Sequence, residues 1–564
     1  MSAFADRPWL SSYADGVPAD IPEVTETLVD MIATSVEEHR QAVALDFFGE
    51  TLTYAELGEA IDRAAGGLSK LGVGAGDRVA IVLPNCPQNV IAFYAVLRLG
   101  AIVVEHNPLY TERELRHQFE DHGATVAIVW DKVAPTVLDM PSDLGVRHVV
   151  SVDMTRAMPW RTRTALRLPM AKAREARAAL TTGELAPGAV DWARVAGADR
   201  ISPTHPRPAV DDIAALQYTS GTTGRPKGAT LTHGNLRANA AQGRAWVPGL
   251  TPGREVIYAV LPMFHAYGLT LCTTFALSIG ARLVLFPKFD PSLVLKAMRT
   301  APATFLPAVP PIYERLAKAA GERKVSLRSI RFAISGAMSL PVSTVELWER
   351  ATGGLLIEGY GMTETSPVAI GNPMGPTRRP GAVGVPFPST EMRVIDPDDT
   401  SIDRGPDEEG ELLLRGPQVF SGYWNRPDET RETLLPDGWL RTGDLVRADA
   451  GGFVTIVDRR KELIITGGFN VAPSEVEEAL VSHPSVDDAA VVGLPSPSGG
   501  ESVAAAVVLA AGADSDAEAI RQHARQRLAA YKVPRRIVVV DDLPRSLIGK
   551  VLRREVRERL LAEE

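Results

Sequence analysis

Residues 213–235 read IAALQYTSGTTGRPKGATLTHGN, and this stretch is the most informative in the chain. The apolar run at 213–218 predicts a buried strand, and glycines, hydroxyl residues and Lys227 follow it closely. Glycine lets backbone N–H groups approach an anion, while hydroxyl groups and a lysine supply further donors. The pattern therefore predicts a polyphosphate loop. Its expected contacts are Thr219, Ser220, Gly221, Thr222, Thr223, Gly224 and Lys227.

This loop differs from the P-loop of nucleoside triphosphatases. In that motif a serine or threonine follows the lysine and binds magnesium. Here Gly228 follows Lys227, so no hydroxyl group stands beside the lysine. The loop lies between a predicted strand and a predicted helix, and ligands of open α/β sheets bind at strand ends. We therefore interpret it as a nucleotide site rather than a flexible linker.

Helix and strand patterns alternate on both sides of the loop. Residues 54–71 form an amphipathic helical pattern, and an apolar strand pattern follows at 78–83. Similar alternation continues from 211 to about 390, which predicts mixed or parallel sheets flanked by helices. A strand-rich part comes next, in which the glycine pair at 451–452 predicts a hairpin. A smaller helix-and-strand pattern then resumes after Asp458.

We therefore predict an α/β protein of two domains. Residues 1–460 form a large domain with a small β-barrel-like part, and residues 461–564 form a small α+β domain. The 256–281 stretch is apolar and long enough to span a bilayer, but Pro262, His265 and Gly268 interrupt it. We interpret it as a buried strand, a loop and a buried helix.

Composition excludes several classes of protein. With 564 residues and 45% hydrophobic residues, the chain has the apolar content of a packed globular protein. Its 60 basic and 69 acidic residues give a net charge of -9, which argues against a nucleic-acid partner. Cys86 and Cys272 cannot form a disulfide framework. The polar, acidic N terminus lacks the pattern of a secretory signal, so we expect a cytoplasmic protein.

Five motifs in order, beginning with the loop, resemble those of the adenylate-forming superfamily, which includes acyl-CoA synthetases, luciferases and peptide-synthetase adenylation domains. The other four are YGMTE at 360–364, RTGD at 441–444, DRRKELIITGGFNVAP at 458–473 and PRSLIGKVLRR at 544–554. Each is weak alone, but their order over most of the chain is specific. Further stretches, among them GPQVFSGYWNRPDET at 416–430, are most similar to bacterial long-chain fatty acyl-CoA synthetases.

The resemblance implies an AMP-forming acid–thiol ligase of fatty acid metabolism. Such an enzyme joins a fatty acid to the α-phosphate of ATP, releases pyrophosphate, and passes the acyl group to coenzyme A. Joining two anions requires cations where charge develops. The resemblance thus implies ATP and coenzyme A as co-substrates and Mg²⁺ as the cofactor.

The resemblance also assigns catalytic roles. Lys550 is the expected adenylation lysine, which bridges the carboxylate and the α-phosphate. Glu364 is the expected Mg²⁺ ligand, because hard cations prefer carboxylate and phosphate oxygens, and Thr363 is expected to contact the α-phosphate. His265 and Tyr267 are implied beside the acyl path, with Tyr267 in the acyl pocket. A lone histidine in an apolar run is more usually a core residue, and that alternative stays open for His265.

The nucleotide and hinge residues follow in the same way. Adenine, ribose and phosphate contacts are implied for Gly336, Ala337, Tyr360, Gly361, Asp444 and Arg459. The small domain is expected to rotate about Lys461 between the two half-reactions. Lys550 serves the first half-reaction, and the loop of Gly467, Gly468 and Phe469 makes room for coenzyme A in the second.

One basic segment falls outside these motifs. Residues 156–180 hold seven basic residues and one acidic residue, interleaved with apolar side chains such as Trp160 and Met170. This composition suits peripheral contact with an anionic membrane surface. A solvated helical excursion, kinked at Pro169, is the alternative.

Three other functions remain as alternatives. The first is an aryl-CoA ligase of the coumarate type, because such enzymes have sequences similar to PMFHxYGL. The second is an acyl-AMP ligase, which would load a carrier protein instead of coenzyme A. A non-catalytic binding protein is disfavoured because Lys550, Glu364 and the phosphate loop are all present. We expect a monomer or a homodimer.

Overall fold

The structure, a computed structural model, describes residues 3–219, 226–459, 462–466, 469–496, 501–514, 517–528, 530–546 and 549–562. The chain divides into two compact units. The large unit comprises Leu10–Glu391 and Arg415–Leu440, and the small unit comprises Met1–Trp9, Met392–Leu414 and Arg441–Glu564. These units are defined by contacts within one conformation, whereas the boundary at 460/461 concerns where the chain bends during a reaction. That boundary therefore stays a prediction.

The strands and helices have the following bounds. The strands are β1 (Val43–Phe47), β2 (Glu50–Thr53), β3 (Arg78–Val82), β4 (Ile102–Glu105), β5 (Val126–Trp130), β6 (His148–Val152), β7 (Val190–Asp191), β8 (Ile213–Thr219), β9 (Lys227–Thr232), β10 (Val256–Ala259), β11 (Arg282–Leu285), β12 (Phe305–Ala308), β13 (Phe332–Ser335), β14 (Leu355–Gly361), β15 (Val368–Gly371), β16 (Val385–Pro386), β17 (Glu391–Ile395), β18 (Glu409–Arg415), β19 (Gly422–Tyr423), β20 (Leu440–Ala448), β21 (Val454–Arg459), β22 (Ile464–Thr466), β23 (Phe469–Val471), β24 (Val486–Pro495), β25 (Glu501–Leu509) and β26 (Arg536–Val539). The α-helices are α1 (Leu28–Glu38), α2 (Tyr54–Lys70), α3 (Pro87–Arg98), α4 (Glu112–His122), α5 (Ala134–Leu138), α6 (Trp160–Ala165), α7 (Ala171–Leu180), α8 (Trp192–Ala196), α9 (His233–Trp246), α10 (Ala266–Gly268), α11 (Phe275–Ser278), α12 (Pro291–Ala297), α13 (Pro310–Arg323), α14 (Val342–Thr352), α15 (Pro427–Thr433), α16 (Pro473–Val481), α17 (Ala517–Arg525) and α18 (Arg553–Ala562). Short 3₁₀ helices lie at Pro8–Ser12, Ser142–Leu144, Met154–Ala157 and Thr363–Thr365, and a π-helical turn lies at Leu269–Thr274.

Two large sheets organise the large unit. One has nine strands in the order β16-β15-β14-β13-β12-β10-β11-β1-β2, and the other has eight in the order β19-β9-β8-β4-β3-β5-β6-β7. The strands from β10 to β14 pair in parallel with one another, as do β3 to β8 in the second sheet. Antiparallel strands close the edges at β2, β15, β16, β9 and β19.

Helices cover the faces of these parallel strands, which explains the apolar strand sequences. Strand β5 (VAIVW) is buried along its whole length, and every residue of α3 (PQNVIAFYAVLR) is buried as well. Helix α2 shows how local sequence starts a helix, because Thr53 and Glu56 form a reciprocal capping box at its N terminus.

The small unit carries its own sheets. A four-stranded sheet has the order β17-β18-β20-β21, and β24-β25-β26 form a three-stranded sheet. The predicted hairpin is present, since β20 and β21 pair antiparallel on either side of residues 451–452. Valines and alanines of β24 and β25 pack with α16 and α17 into a core. The predicted fold class, a large α/β part with a small α+β part, is confirmed.

The apolar 256–281 stretch is buried strand and helix, as predicted. It forms β10, α10, the π-helical turn and α11 before β11 begins, and nearly all its side chains are buried. Across the residues that the structure describes, none of the helices combines the length and apolar character needed to cross a bilayer.

Candidate active site

The predicted phosphate loop connects two paired strands. Strands β8 and β9 run antiparallel, and the Cα atoms of Thr219 and Lys227 are register partners on either side of the loop. Ser220, Gly221, Thr222, Thr223 and Gly224 lie outside the described residues. Lys227 is half-buried, and its Nζ lies 5.1 Å from the centroid of the Tyr423 ring. The register of β8 and β9 thus places the cation of Lys227 where the chain leaves the loop, opposite Thr219.

Glu364 follows the carboxyl end of β14 and is buried. The Tyr423 hydroxyl donates to its Oε1 at 2.6 Å, and the Phe420 N–H donates to its carbonyl oxygen at 2.9 Å. The hydrogen bond from Tyr423 holds the Glu364 carboxyl group in one orientation. Carboxylate oxygens are ligands that Mg²⁺ prefers, so the residue fits the predicted role. Thr363, beside it in the same 3₁₀ turn, is half-buried.

The proposed adenine wall lies where β13 and β14 end. These neighbouring strands are parallel, so their carboxyl ends meet at one edge of the sheet. A methyl group at Gly336 would lie 3.1 Å from Cζ of Tyr267, which leaves room only for glycine without a shift. Ala337 adopts a left-handed φ of 67°, and Tyr360 is half-buried on β14. Gly336, Ala337, Tyr360 and Gly361 therefore lie together.

His265 and Tyr267 both have structural contacts at this edge. The Tyr267 N–H donates to Nδ1 of His265 at 3.3 Å, so the histidine caps the short helix α10. The Tyr267 hydroxyl donates to the Ile334 carbonyl at 2.7 Å, and burial raises the pKa of Tyr267. Tyr267 thus supports the strand that leads to Gly336. The acyl-pocket role of Tyr267 and the catalytic role of His265 stay predictions.

In the small unit, Asp444 is buried on β20, and its Cα is the register partner of Arg459 on β21. The preceding turn is firmly held. Thr442 donates to the Leu412 carbonyl at 2.8 Å, and Arg441 pairs with the buried Glu411 at 2.5 Å. The side chain of Arg459 lies outside the described residues, and the ribose contacts of both residues stay predictions.

Lys550 lies on a turn that follows a left-handed glycine. Gly549 has a φ of 82°, and the Lys550 carbonyl accepts a hydrogen bond from the Ser546 N–H at 2.8 Å. The expected glycine-flanked turn is therefore present. Lys461, Gly467 and Gly468 lie outside the described residues, as does the side chain of Phe469, whose backbone belongs to β23. The roles assigned to them stay predictions.

Two regions of the chain match protein-family models. Residues 32–424 match the AMP-binding enzyme model, and residues 475–550 match the AMP-binding enzyme C-terminal domain. The chain belongs to the AMP-binding enzyme family. The resemblance drawn from the five motifs is thereby confirmed.

Relatives of this AMP-binding enzyme match it over nearly its whole length. It is 38% identical to the long-chain-fatty-acid–CoA ligase of Bacillus subtilis (strain 168), over 99% of this chain and 98% of the relative. It is 34% identical to 4-coumarate–CoA ligase 3 of Oryza sativa subsp. japonica, over 91% and 88%. A solved structure, o-succinylbenzoate CoA synthetase from Bacillus subtilis in complex with the acyl-adenylate intermediate, matches with a TM-score of 0.76 and 28% identity, over 95% of this chain and 98% of that chain.

Three residues of this AMP-binding enzyme were missed by the sequence reasoning. Tyr423 holds Glu364, and Asp121 accepts hydrogen bonds from Tyr218 at 2.8 Å and from Arg426 at 3.0 Å. Arg553, three residues after Lys550, pairs with Glu477 at 2.7 Å. Tyr423 lay within a motif that was quoted only as a resemblance. Asp121 has no local signal, because its partners lie 97 and 305 positions away.

Proposed function

We propose that this AMP-binding enzyme is an ATP-dependent long-chain fatty acid–CoA ligase that acts through an acyl-adenylate. The observation that carries the adenylation chemistry is the grouping of Lys227 and Glu364 on one tyrosine beside the phosphate loop. The long-chain acyl group is proposed from the 38% identity to the Bacillus subtilis ligase over nearly the full chain. The lower identity and coverage of the coumarate relative favour the fatty acid.

Each residue group has a defined task in this reaction. Lys227 would face phosphate oxygens, and Glu364 would hold Mg²⁺, which would neutralise phosphate charge. Lys550 supplies a positive charge where the fatty acid carboxylate meets the α-phosphate. Two anions about 4 Å apart repel by roughly 4 kcal/mol at an effective dielectric near 20, so a cation there lowers the barrier substantially. The thiol of coenzyme A then attacks the mixed anhydride, and AMP leaves.

A substrate panel tests the proposed function. AMP release that depends on coenzyme A is measured with acetate, octanoate, palmitate and coumarate. We expect the highest kcat/KM with palmitate, and little release when coenzyme A is omitted. A maximum with coumarate would move the enzyme to the aryl branch. Palmitoyl-adenylate that accumulates without forming a thioester would indicate a carrier-protein acceptor.

We further propose that the enzyme lies in the cytoplasm and that residues 156–180 contact the anionic inner face of the membrane. Trp160, Leu168 and Met170 are 69%, 44% and 55% exposed, and α6 has no buried residue. In the described part of the chain, none of five cations here has a carboxylate partner: Arg161, Arg163, Arg167, Lys172 and Arg174. Pro169 separates α6 from α7 rather than kinking one helix.

The body of the large unit holds this membrane-facing segment in place. Trp130 Nε1 donates to the Leu180 carbonyl at 2.8 Å, and Lys132 Nζ donates to the Ala178 carbonyl at 2.8 Å. Ala173, on α7 itself, is buried. An anchored helix with exposed cations and apolar side chains suits an interface with anionic lipid headgroups.

Co-sedimentation with phosphatidylglycerol vesicles tests the membrane contact. Arg167→Glu combined with Arg174→Glu should lower the bound fraction severalfold, with weaker binding at high salt. Lys318→Glu combined with Arg323→Glu on α13 makes the same charge change on another exposed helix and should bind normally. Equal binding by both double variants would contradict the contact.

Light scattering checks the remaining prediction of a monomer or homodimer.

A further inference from the structure

Tyr423 belongs to a short strand that is fastened to the strand after the phosphate loop. Strand β19 pairs antiparallel with β9, with Tyr423 opposite Ala229. The Trp424 N–H donates to the Gly228 carbonyl at 2.8 Å, and the Ser421 N–H donates to the Thr230 carbonyl at 3.1 Å. The backbone of Tyr423 therefore keeps a fixed position relative to Lys227.

The side chain of Tyr423 contacts two groups of opposite charge. Its hydroxyl donates to Glu364 Oε1 at 2.6 Å, while its ring centroid lies 5.1 Å from Lys227 Nζ. A lysine above an aromatic face is attracted by the ring's electrons. One side chain therefore lies against both the carboxylate and the lysine.

A second set of contacts fixes the chain just beyond Tyr423. Arg426 Nη2 donates to Asp121 Oδ1 at 3.0 Å, and Trp424 Nε1 donates to the Asp121 carbonyl at 3.2 Å. The Tyr218 hydroxyl donates to the other oxygen of the same carboxylate at 2.8 Å. Asp121 thus connects Tyr218, which precedes the loop, to the segment after Tyr423. That segment is itself bonded to Gly228, just after the loop.

A phenol suits this position for a chemical reason. A lysine or arginine in its place would form an ion pair with Glu364 and cancel the charge that a cation needs. A phenylalanine would leave the buried carboxylate without this donor. Hydrogen bonds of this kind to a metal-binding carboxylate orient the ligand and raise metal affinity.

We infer that Tyr423 is a positioning residue that orients Glu364 toward the metal through its hydroxyl and holds Lys227 toward the nucleotide phosphates through its ring. The inference rests on the proposed function, because it takes Glu364 as the metal ligand and Lys227 as a phosphate contact. The two contacts use different atoms of one side chain, so they can be removed separately.

Metal binding without turnover tests the first contact. Mn²⁺ replaces Mg²⁺, and free Mn²⁺ is measured by electron paramagnetic resonance in the presence of α,β-methylene-ATP. Tyr423→Phe should raise the dissociation constant for Mn²⁺ by about tenfold, because it loses the hydrogen bond. It keeps the ring, so affinity for the analogue without metal should stay within about twofold of wild type.

The second contact is tested with Tyr423→Leu, which loses the ring as well. Its affinity for the analogue without metal should fall by a further factor of about three to ten, the value of a partly buried cation–π contact. Tyr258→Phe is the matched control, since its hydroxyl donates to the Ala301 carbonyl at 2.7 Å on a different strand. That control should bind both metal and analogue normally.

Glu364→Gln separates the inference from the proposed function. If this variant binds Mn²⁺ as wild type does, the metal-ligand assignment fails and the inference falls with it. If it loses metal affinity while Tyr423→Phe does not, only the inference is overturned. Thermal unfolding of each variant shows whether the fold is kept, and a Tyr423→Phe protein that melts normally yet binds Mn²⁺ weakly supports the positioning role.

Discussion

Lys550 lies on a turn whose shape depends on the glycine before it. Gly549 adopts a φ of 82°, a conformation that other residues avoid, and Ser546 closes the turn with a hydrogen bond to the Lys550 carbonyl. Arg553, three residues later, pairs with Glu477 of α16 and so fixes this turn to the body of the small unit. Described contacts on both sides of Lys550 therefore connect its backbone to the rest of the small unit.

Lys550→Ala should lose the first half-reaction and keep the second. Without the cation, acyl-adenylate formation should fall by about 10²- to 10³-fold or more, as when one transition-state donor is removed. Synthetic palmitoyl-adenylate should still be converted to the thioester. Quenched-flow assays of each half-reaction measure both. Lys532→Ala removes a half-buried lysine of the same unit that pairs with Glu475, and it should leave both rates normal. A Lys550→Ala enzyme that adenylates normally would refute the assignment.

Glu358 gives the stability of the protein a specific pH dependence. Burial raises the pKa of Glu358 to about 8. The hydrogen bond that its Oε1 accepts from the Leu340 N–H acts in the opposite direction and lowers the pKa, but by less. The unfolded chain has a pKa near 4.5, so between these values the folded state holds a proton that the unfolded state has lost. The free energy of unfolding therefore falls as pH rises from about 4.5 to 8 and levels off above that range.

Glu358→Gln should remove this loss of stability at high pH. Glutamine resembles the protonated acid and keeps an oxygen for Leu340, so the variant should exceed wild type at pH 8.5 by on the order of 3 kcal/mol. At pH 4.5 the two proteins should be alike. Urea unfolding at both pH values measures this. Glu346→Gln on the surface of α14 is the control, and the idea fails if the two variants show the same pH profile.

At the scale of elements, the backbone at the end of β14 lies in close contact with the backbone just before β15. A methyl group at Gly361 would overlap the Pro367 carbonyl oxygen, whereas one at Gly359 would meet nothing nearer than 3.5 Å. This close approach lets the chain turn back into β15 directly beside Glu364.

Gly361→Ala should therefore destabilise the large unit by about 1–3 kcal/mol, the usual cost of overpacking. Gly359→Ala, two residues earlier on the same strand, should change the free energy of unfolding by much less. Chemical denaturation of both variants gives the comparison. Equal stabilities would show that the β14–β15 turn relaxes easily and does not fix Glu364.

The elements also show how far sequence reasoning extends. Alternating patterns predicted β3, α2 and the β20–β21 hairpin, because each depends on local periodicity and turn residues. The order of the motifs predicted roles for Glu364 and Lys550. Tyr423 and Asp121 were missed, because their contacts join residues that lie far apart in sequence, and such pairing follows from sheet order rather than from any local pattern.

At the scale of the whole molecule, the same limit applies to domain organisation. Sequence pattern changes near Asp458, yet compactness groups Met392–Leu414 and Arg441 onward with the C-terminal residues. The strands of the four-stranded sheet come from both stretches, so their association depends on pairing across the intervening Arg415–Leu440. The hinge role predicted for Lys461 and the coenzyme A role predicted for residues 467–469 concern motion, which local sequence alone does not determine.

The central claim is that one protein makes an acyl-adenylate and then a thioester from a long-chain fatty acid. The most direct measurement is a single-turnover experiment with excess enzyme, labelled palmitate and Mg·ATP, first without coenzyme A. We predict that mass spectrometry detects palmitoyl-adenylate and stoichiometric pyrophosphate, and that added coenzyme A converts the adenylate to palmitoyl-CoA and AMP. Formation of ADP and phosphate instead of AMP and pyrophosphate would contradict this mechanism. So would an enzyme that makes palmitoyl-CoA but does not convert isolated palmitoyl-adenylate to it.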